Sequence, residues 1–180
     1  LVNNAGFGKW ETFENISRES YHDMIQLNIT TLTDLCHLYL ADMKKRNSGG
    51  IINVASVAGF IPVPYAAVYG ATKSYVLDFT EALRGECYGT DIQIMCLCPS
   101  GTTSKFSEVA RSGRKTDKKE IGYESAESVA HKGLTAYLAG AQTCVTGSNK
   151  WQVLLLPRLL SRKMVLKIAE MVFKKVAKEG

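Results

Sequence analysis

Ile51-Ile52-Asn53-Val54-Ala55-Ser56 is an apolar run that closes on a hydroxyl, and Tyr69-Gly70-Ala71-Thr72-Lys73 follows thirteen residues after that serine. The first stretch reads as a buried strand, because a short apolar run of this kind fits a sheet covered on both faces. The second sets a phenol and an ammonium four positions apart, which places both on one face of a helix. Open α/β sheets bind ligands at the carboxyl ends of their strands. Ser56 stands at such an end, so Ser56, Tyr69 and Lys73 are expected to meet in one crevice.

Working outward, Leu1-Val2-Asn3 reads as the end of a strand. A long helical pattern capped by Ser17 runs to about Arg46, where Asn47-Ser48-Gly49-Gly50 stops it. A loop containing Pro62 and Pro64 leads into a helix from about Ala66 to Cys87, which carries Tyr69 and Lys73. Ile92 to Cys98 is apolar and β-rich and is bounded by Pro99. Ser100 to Glu124 reads as a long polar loop, of a length that suggests function. Ser125 caps a helix to about Leu138, and Thr143-Cys144-Val145-Thr146 is a short last strand. Strands alternating with helices predict a parallel α/β sheet with right-handed crossovers.

Within 180 residues the expectation is one partial domain over 1–156, followed by a basic amphipathic helical segment over 157–180. No apolar run reaches the length of a membrane span. The five cysteines, at 36, 87, 96, 98 and 144, show no CxxC spacing, so a reduced, cytoplasmic setting is expected. Cys96 and Cys98 alternate along a strand and should point to one face. His22, His37 and His131 do not cluster as ligands, so no metal site is expected. The net charge of +5 has one source: residues 158–180 hold seven Lys or Arg against two Glu, and the rest balances at 15 against 15. That pattern disfavours nucleic-acid binding. In the same segment Val165, Ile168, Met171, Val172 and Val176 recur at helical spacing beside Lys167, Lys174, Lys175 and Lys178. Two readings stay open, a helix packed on the domain or a homo-oligomer mate, and an interfacial helix making peripheral contact with an anionic membrane.

Asn3-Asn4-Ala5-Gly6, Ser56 and the Tyr69–Lys73 pair together closely resemble the short-chain dehydrogenase/reductase family over most of the chain. The resemblance implies a Rossmann-like doubly wound parallel sheet and an NAD(P)-dependent oxidoreductase acting on a small carbonyl or alcohol. It implies Asn28, Ser56, Tyr69 and Lys73 as catalytic residues. Asn3, Ala5, Gly6, Tyr69, Lys73, Pro99, Ser100, Thr102 and Ser104 are the implied cofactor contacts. After the Ile92–Cys98 strand the family usually has Pro-Gly and then a Thr four residues beyond that Gly. Here Ser100 stands at the Gly position and Ser104 at the Thr position. The family's TGxxxGxG phosphate turn does not occur, and Gly6-Phe7-Gly8 does not replace it. The chain is therefore expected to be the C-terminal portion of the fold, with the first βαβαβ half absent from it. The tail resembles a bacterial-type subgroup of uncharacterised reductases, which favours NADP slightly over NAD.

The implied chemistry suits these residue types. A free phenol titrates near ~10, and a cation at ~4 Å contributes roughly 4 kcal/mol at an effective dielectric of ~20. On that basis Lys73 is expected to lower the Tyr69 pKa toward general acid/base range. Ser56 would orient the substrate oxygen, Lys73 would also hold the ribose hydroxyls, and Asn28 would complete a proton relay. Two alternatives remain at this point: a nucleotide-sugar epimerase or dehydratase, and a truncated non-catalytic relative.

Overall fold

The structure is a computed structural model that describes residues 1–104, 106, 110, 123–148 and 150–178. Strands β1 (Val2–Asn3), β2 (Gly49–Val54), β3 (Ile92–Cys98) and β6 (Thr143–Val145) form one parallel sheet in the order β1-β2-β3-β6. Asn3 pairs with Asn53 and Ile51 with Ile94 across it. The helices between them are α1 (Arg18–Ile25), α2 (Leu32–Arg46), α3 (Ala67–Glu86) and α4 (Ala126–Leu138).

The period of two along β3 decides what each face meets. Ile92, Ile94, Cys96 and Cys98 pack with Leu32, Cys36, Leu40 and Met43 of α2 and with Val76 and Leu77 of α3. Met95 and Leu97 face the other way, toward Val129, Ala136 and Tyr137 of α4. Cys96 and Cys98 thus share one buried face, their sulfurs 3.6 Å apart. The parallel sheet covered on both faces accords with the α/β reading.

Ser17 and Ser125 cap their helices by accepting from the backbone N–H of Ser20 and Ser128. Asn47 ends α2 in the left-handed region at φ 48°, and the Ser48 N–H returns to the Met43 carbonyl. Two expectations need correction. The helix from Arg18 to Arg46 is not uniform, since Gln26–Thr31 forms a wide π-helical turn between α1 and α2. Nor is Ser100 to Glu124 all loop. Thr102–Thr103 (β4) pairs in parallel with Glu124–Ser125 (β5), and residues 111–122 lie outside the described residues.

The C-terminal segment folds as α5 (Lys150–Leu159) and α6 (Arg162–Lys178). Its buried face differs from the expected stripe. Val165 and Ala169 are buried, Phe173 meets the Trp10 ring edge-on at 6.0 Å, and Met171 and Val172 are exposed. Four-residue spacing sets Val165, Ala169 and Phe173 on one line of the helix, so the small Ala169 permits the close approach. The side chains of Lys175, Val176 and Lys178 lie outside the described residues.

Candidate active site

The carboxyl ends of β1, β2 and β3 bring the expected residues together. Helix α3 begins beside them, and its first turns carry Tyr69 and Lys73, both buried. Ser56 opens a short 3-10 turn just beyond β2. Its oxygen accepts from the Ala58 N–H at 3.1 Å and its proton points to the Pro99 carbonyl at 3.4 Å. The Ser56 hydroxyl also lies near enough to the Tyr69 phenol to influence its titration. The Lys73 ammonium donates to the Val54 carbonyl at 2.9 Å and lies 5.9 Å from the centre of the Tyr69 ring. Phe106 packs against the same ring, tilted by 48°, at 5.4 Å between ring centres.

Asn28 sits in the π-helical turn and is buried. Its carbonyl oxygen accepts from the Phe7 N–H at 3.1 Å. Its amide donates to the Phe7 carbonyl at 2.9 Å and to the Thr72 hydroxyl at 3.1 Å. Asn28 therefore grips the segment that follows Asn3-Asn4-Ala5-Gly6. Gly6 has no room for a side chain: a Cβ there would stand 2.9 Å from the Asn28 oxygen and 3.4 Å from the Lys73 ammonium. Backbone at Gly6 passes directly over two of the site residues for that reason.

Asn3 is engaged beneath the site. Its amide donates to the Asn53 oxygen at 2.8 Å and to the Cys36 sulfur at 3.3 Å, and Asn53 donates to the Thr80 hydroxyl at 3.0 Å. This buried network ties β1 and β2 to α2 and α3. Beyond β3, the Thr102 hydroxyl donates to the Ser100 carbonyl at 2.9 Å, and Ser104 accepts from the Phe106 N–H at 3.3 Å. Pro99, Ser100, Thr102 and Ser104 thus line the end of β3, while Ala5 and Gly6 follow β1.

The electrostatics depart from the expectation. Burial pushes the Tyr69 phenol up to about 12, and the Ser56 hydroxyl nearby pulls in the opposite direction. Burial likewise pushes the Lys73 ammonium down to about 8, against Cys96 and Cys98 nearby. Loss of water around the phenolate thus outweighs stabilisation by its surroundings. At neutral pH Tyr69 keeps its proton, the form that donates.

Thr72, Asn53, Thr80 and Phe106 went unread in the sequence. Thr72 and Thr80 are ordinary helix residues by type, and Asn53 looks like a flaw in an apolar strand. A polar residue inside a run that is otherwise core is itself a usable signal, because a buried amide must find partners. Among the described residues, no group of three His, Cys, Asp or Glu side chains is placed to hold a metal ion.

Comparison with known proteins adds a family. The profile of the short chain dehydrogenase family matches residues 1–115. Ketoacyl reductase HetN of Nostoc sp. is 37% identical over 99 residues, covering 55% of this chain and 34% of that protein. Sulfoacetaldehyde reductase of Chromohalobacter salexigens is 33% identical over 141 residues, covering 77% of this chain and 52% of that protein. The chain thus spans between a third and about half of the length of these two relatives. Among solved structures, a short-chain dehydrogenase from Sphingobium yanoikuyae in complex with NADPH superposes with a TM-score of 0.76 at 25% identity. That match covers 88% of this chain and 62% of the other. A 7beta-hydroxysteroid dehydrogenase shares the fold with a TM-score of 0.78 at 20% identity, covering 93% of this chain and 65% of its own.

Proposed function

The chain belongs to the short-chain dehydrogenase family, and from that premise we propose an NAD(P)-dependent oxidoreductase that interconverts a carbonyl and an alcohol. The observation that carries this reading is the convergence of Ser56, Tyr69 and Lys73: a hydroxyl near a buried phenol, with an ammonium beside the same ring. Tyr69 is the general acid/base. In the reductive direction its phenol donates a proton to the carbonyl oxygen, which Ser56 holds in place. The high pKa of Tyr69 fits this direction, because the proton is present at neutral pH.

The residues present fit a nicotinamide cofactor, since Gly6 leaves a bare backbone surface beside an ammonium that can offer further N–H donors. Bound there, the cofactor would supply the hydride. Lys73 would hold the ribose hydroxyls, with Ala5, Gly6, Pro99, Ser100, Thr102 and Ser104 along the two flanks. Asn3 would act from below, through Asn53. NADP is favoured because structural relatives are described with NADPH or NADP+. The curated relatives are named as reductases and dehydrogenases, which favours carbonyl/alcohol exchange over epimerase or dehydratase chemistry. The test is carbonyl-dependent oxidation of NADPH or NADH by the protein, across panels of aldehydes and ketones. Turnover that Tyr69→Phe leaves intact, or none with any carbonyl, would overturn the reading.

For the C-terminal helices the supporting observation is an exposed apolar edge bordered by cations. Trp151, Leu155 and Leu159 follow one another at four-residue spacing on α5, and Met164, Met171 and Val172 are exposed on α6 beside Lys163, Lys167 and Lys174. No helix among the described residues is long and apolar enough to cross a membrane. The proposed occupant is the surface of an anionic bilayer, because a second copy on the same face would bring two cationic segments together. The protein should co-sediment with vesicles containing phosphatidylglycerol and not with phosphatidylcholine alone. Binding to neither, or dimerisation lost on Leu155→Ser, would refute it.

A further inference from the structure

Thr72 is wholly buried inside α3, one residue before Lys73, and its hydroxyl has a double engagement. A threonine within a helix often returns its proton to a carbonyl three or four residues back, and Thr72 donates to the Tyr69 carbonyl at 2.8 Å. With its proton spent, the oxygen can only accept, and it accepts from the Asn28 amide at 3.1 Å. Asn28 in turn brackets both backbone groups of Phe7. Three segments are thereby joined through one hydroxyl: the turn of α3 bearing Tyr69 and Lys73, the π-helical turn, and the backbone after Gly6.

We propose that Thr72 is a positioning residue of the oxidoreductase site, the acceptor that fixes the Asn28 amide and through it the Gly6-Phe7 backbone against Lys73. This rests on the activity proposed above and goes beyond the four residues named for it. An amide has two N–H groups to satisfy, and those of Asn28 go to Phe7 and to Thr72. Without the hydroxyl one N–H is buried and unpaired, so the side chain must turn and loosen its hold on Phe7.

The experiment compares Thr72→Val, which keeps the shape and removes the acceptor, with Thr72→Ser, which keeps the hydroxyl. The first readout is hydrogen exchange at the Phe7 amide by NMR in the cofactor-free protein, with the Ile94 amide of β3 as internal reference. The second is kcat, the cofactor KM and the pH profile of turnover. In Thr72→Val the Phe7 amide should exchange about tenfold faster relative to Ile94, and kcat should fall about tenfold, from the loss of one buried bond. Thr72→Ser should bring both within about twofold of the parent, as expected when the hydroxyl is the active feature. Parental Phe7 protection or parental kcat in Thr72→Val would overturn the proposal, as would failure of serine to rescue. Absence of turnover in the parent would refute the oxidoreductase reading, while Phe7 exchange would still judge the Asn28 link.

Discussion

Replacing Lys73 by Met tests the electrostatics of the site in the folded chain without any ligand. Methionine keeps the length of the side chain and removes the charge. Burial moves the Lys73 ammonium from an ordinary 10.5 down to about 8. Between these values the unfolded chain holds the proton and the folded chain does not, so raising the pH stabilises the fold. The cost of burying the charge is complete below pH 8 and gone above 10.5. At ~1.4 kcal/mol for each pH unit this amounts to roughly 3 kcal/mol. Urea unfolding of parent and Lys73→Met across pH 7 to 11 measures it, with the quantity of interest being the parent value minus the variant value. Other titrating groups, including Tyr69, are common to both proteins and cancel. Loss of the bond to the Val54 carbonyl adds an offset that does not change with pH. The difference should climb by roughly 3 kcal/mol between pH 8 and 10.5. A flat or falling difference would show that the ammonium is not desolvated as the fold implies.

Tyr69→Phe should abolish turnover and leave NADPH affinity within about threefold by fluorescence titration, since only the phenolic hydroxyl is lost; a tenfold weaker affinity would give Tyr69 a binding role instead. Asn53→Leu removes one bond from the Asn3 amide and one from the Thr80 hydroxyl, which keep only Cys36 and the Val76 carbonyl respectively. The expected loss is roughly 2 kcal/mol or more, read from the urea midpoint, and an unchanged midpoint would mean the network is dispensable. Gly59→Ala sets a Cβ 2.7 Å from the backbone oxygen of Lys73. Backbone cannot swing aside as a side chain can, so a loss of about 1–3 kcal/mol is expected from thermal unfolding, and an unshifted Tm would contradict that contact.

Much of this was legible because it depended on local periodicity. Ile51 to Ser56 and Ile92 to Cys98 announce strands through unbroken apolar character, and Asn47 announces a helix end through its tolerance of the left-handed region. Tyr69 and Lys73 were found through spacing on one helical face. What stayed hidden depends on the third dimension. The Tyr69 pKa was misjudged because a Coulomb estimate counts the cation and omits the water that burial removes. Thr72 and Asn53 owe their importance to partners 44 and 50 residues away, Asn28 and Asn3 respectively. On α6 the Val and Met positions marked a stripe, while Ala169 and Phe173, which set the docked line, were not in it. Helical spacing gives the existence of an apolar face and not which part of it meets the protein.

The wide turn at Gln26–Thr31 has a consequence for how the preceding and following helices share one surface. Met24, Asn28, Leu32, Cys36 and Leu40 are all buried, and they recur every four residues. An α-helix advances about 100° per residue, so a strict period of four drifts by about 40° at each step and about 160° over this stretch. In a uniform helix Met24 and Leu40 would lie on nearly opposite sides. One turn that takes an extra residue winds the stripe back by about 100°, which brings the two ends within about 60° of each other. Asn28 lies inside that correction, so the same irregularity that keeps the seam together also holds a buried amide within it, bonded to Phe7 and Thr72.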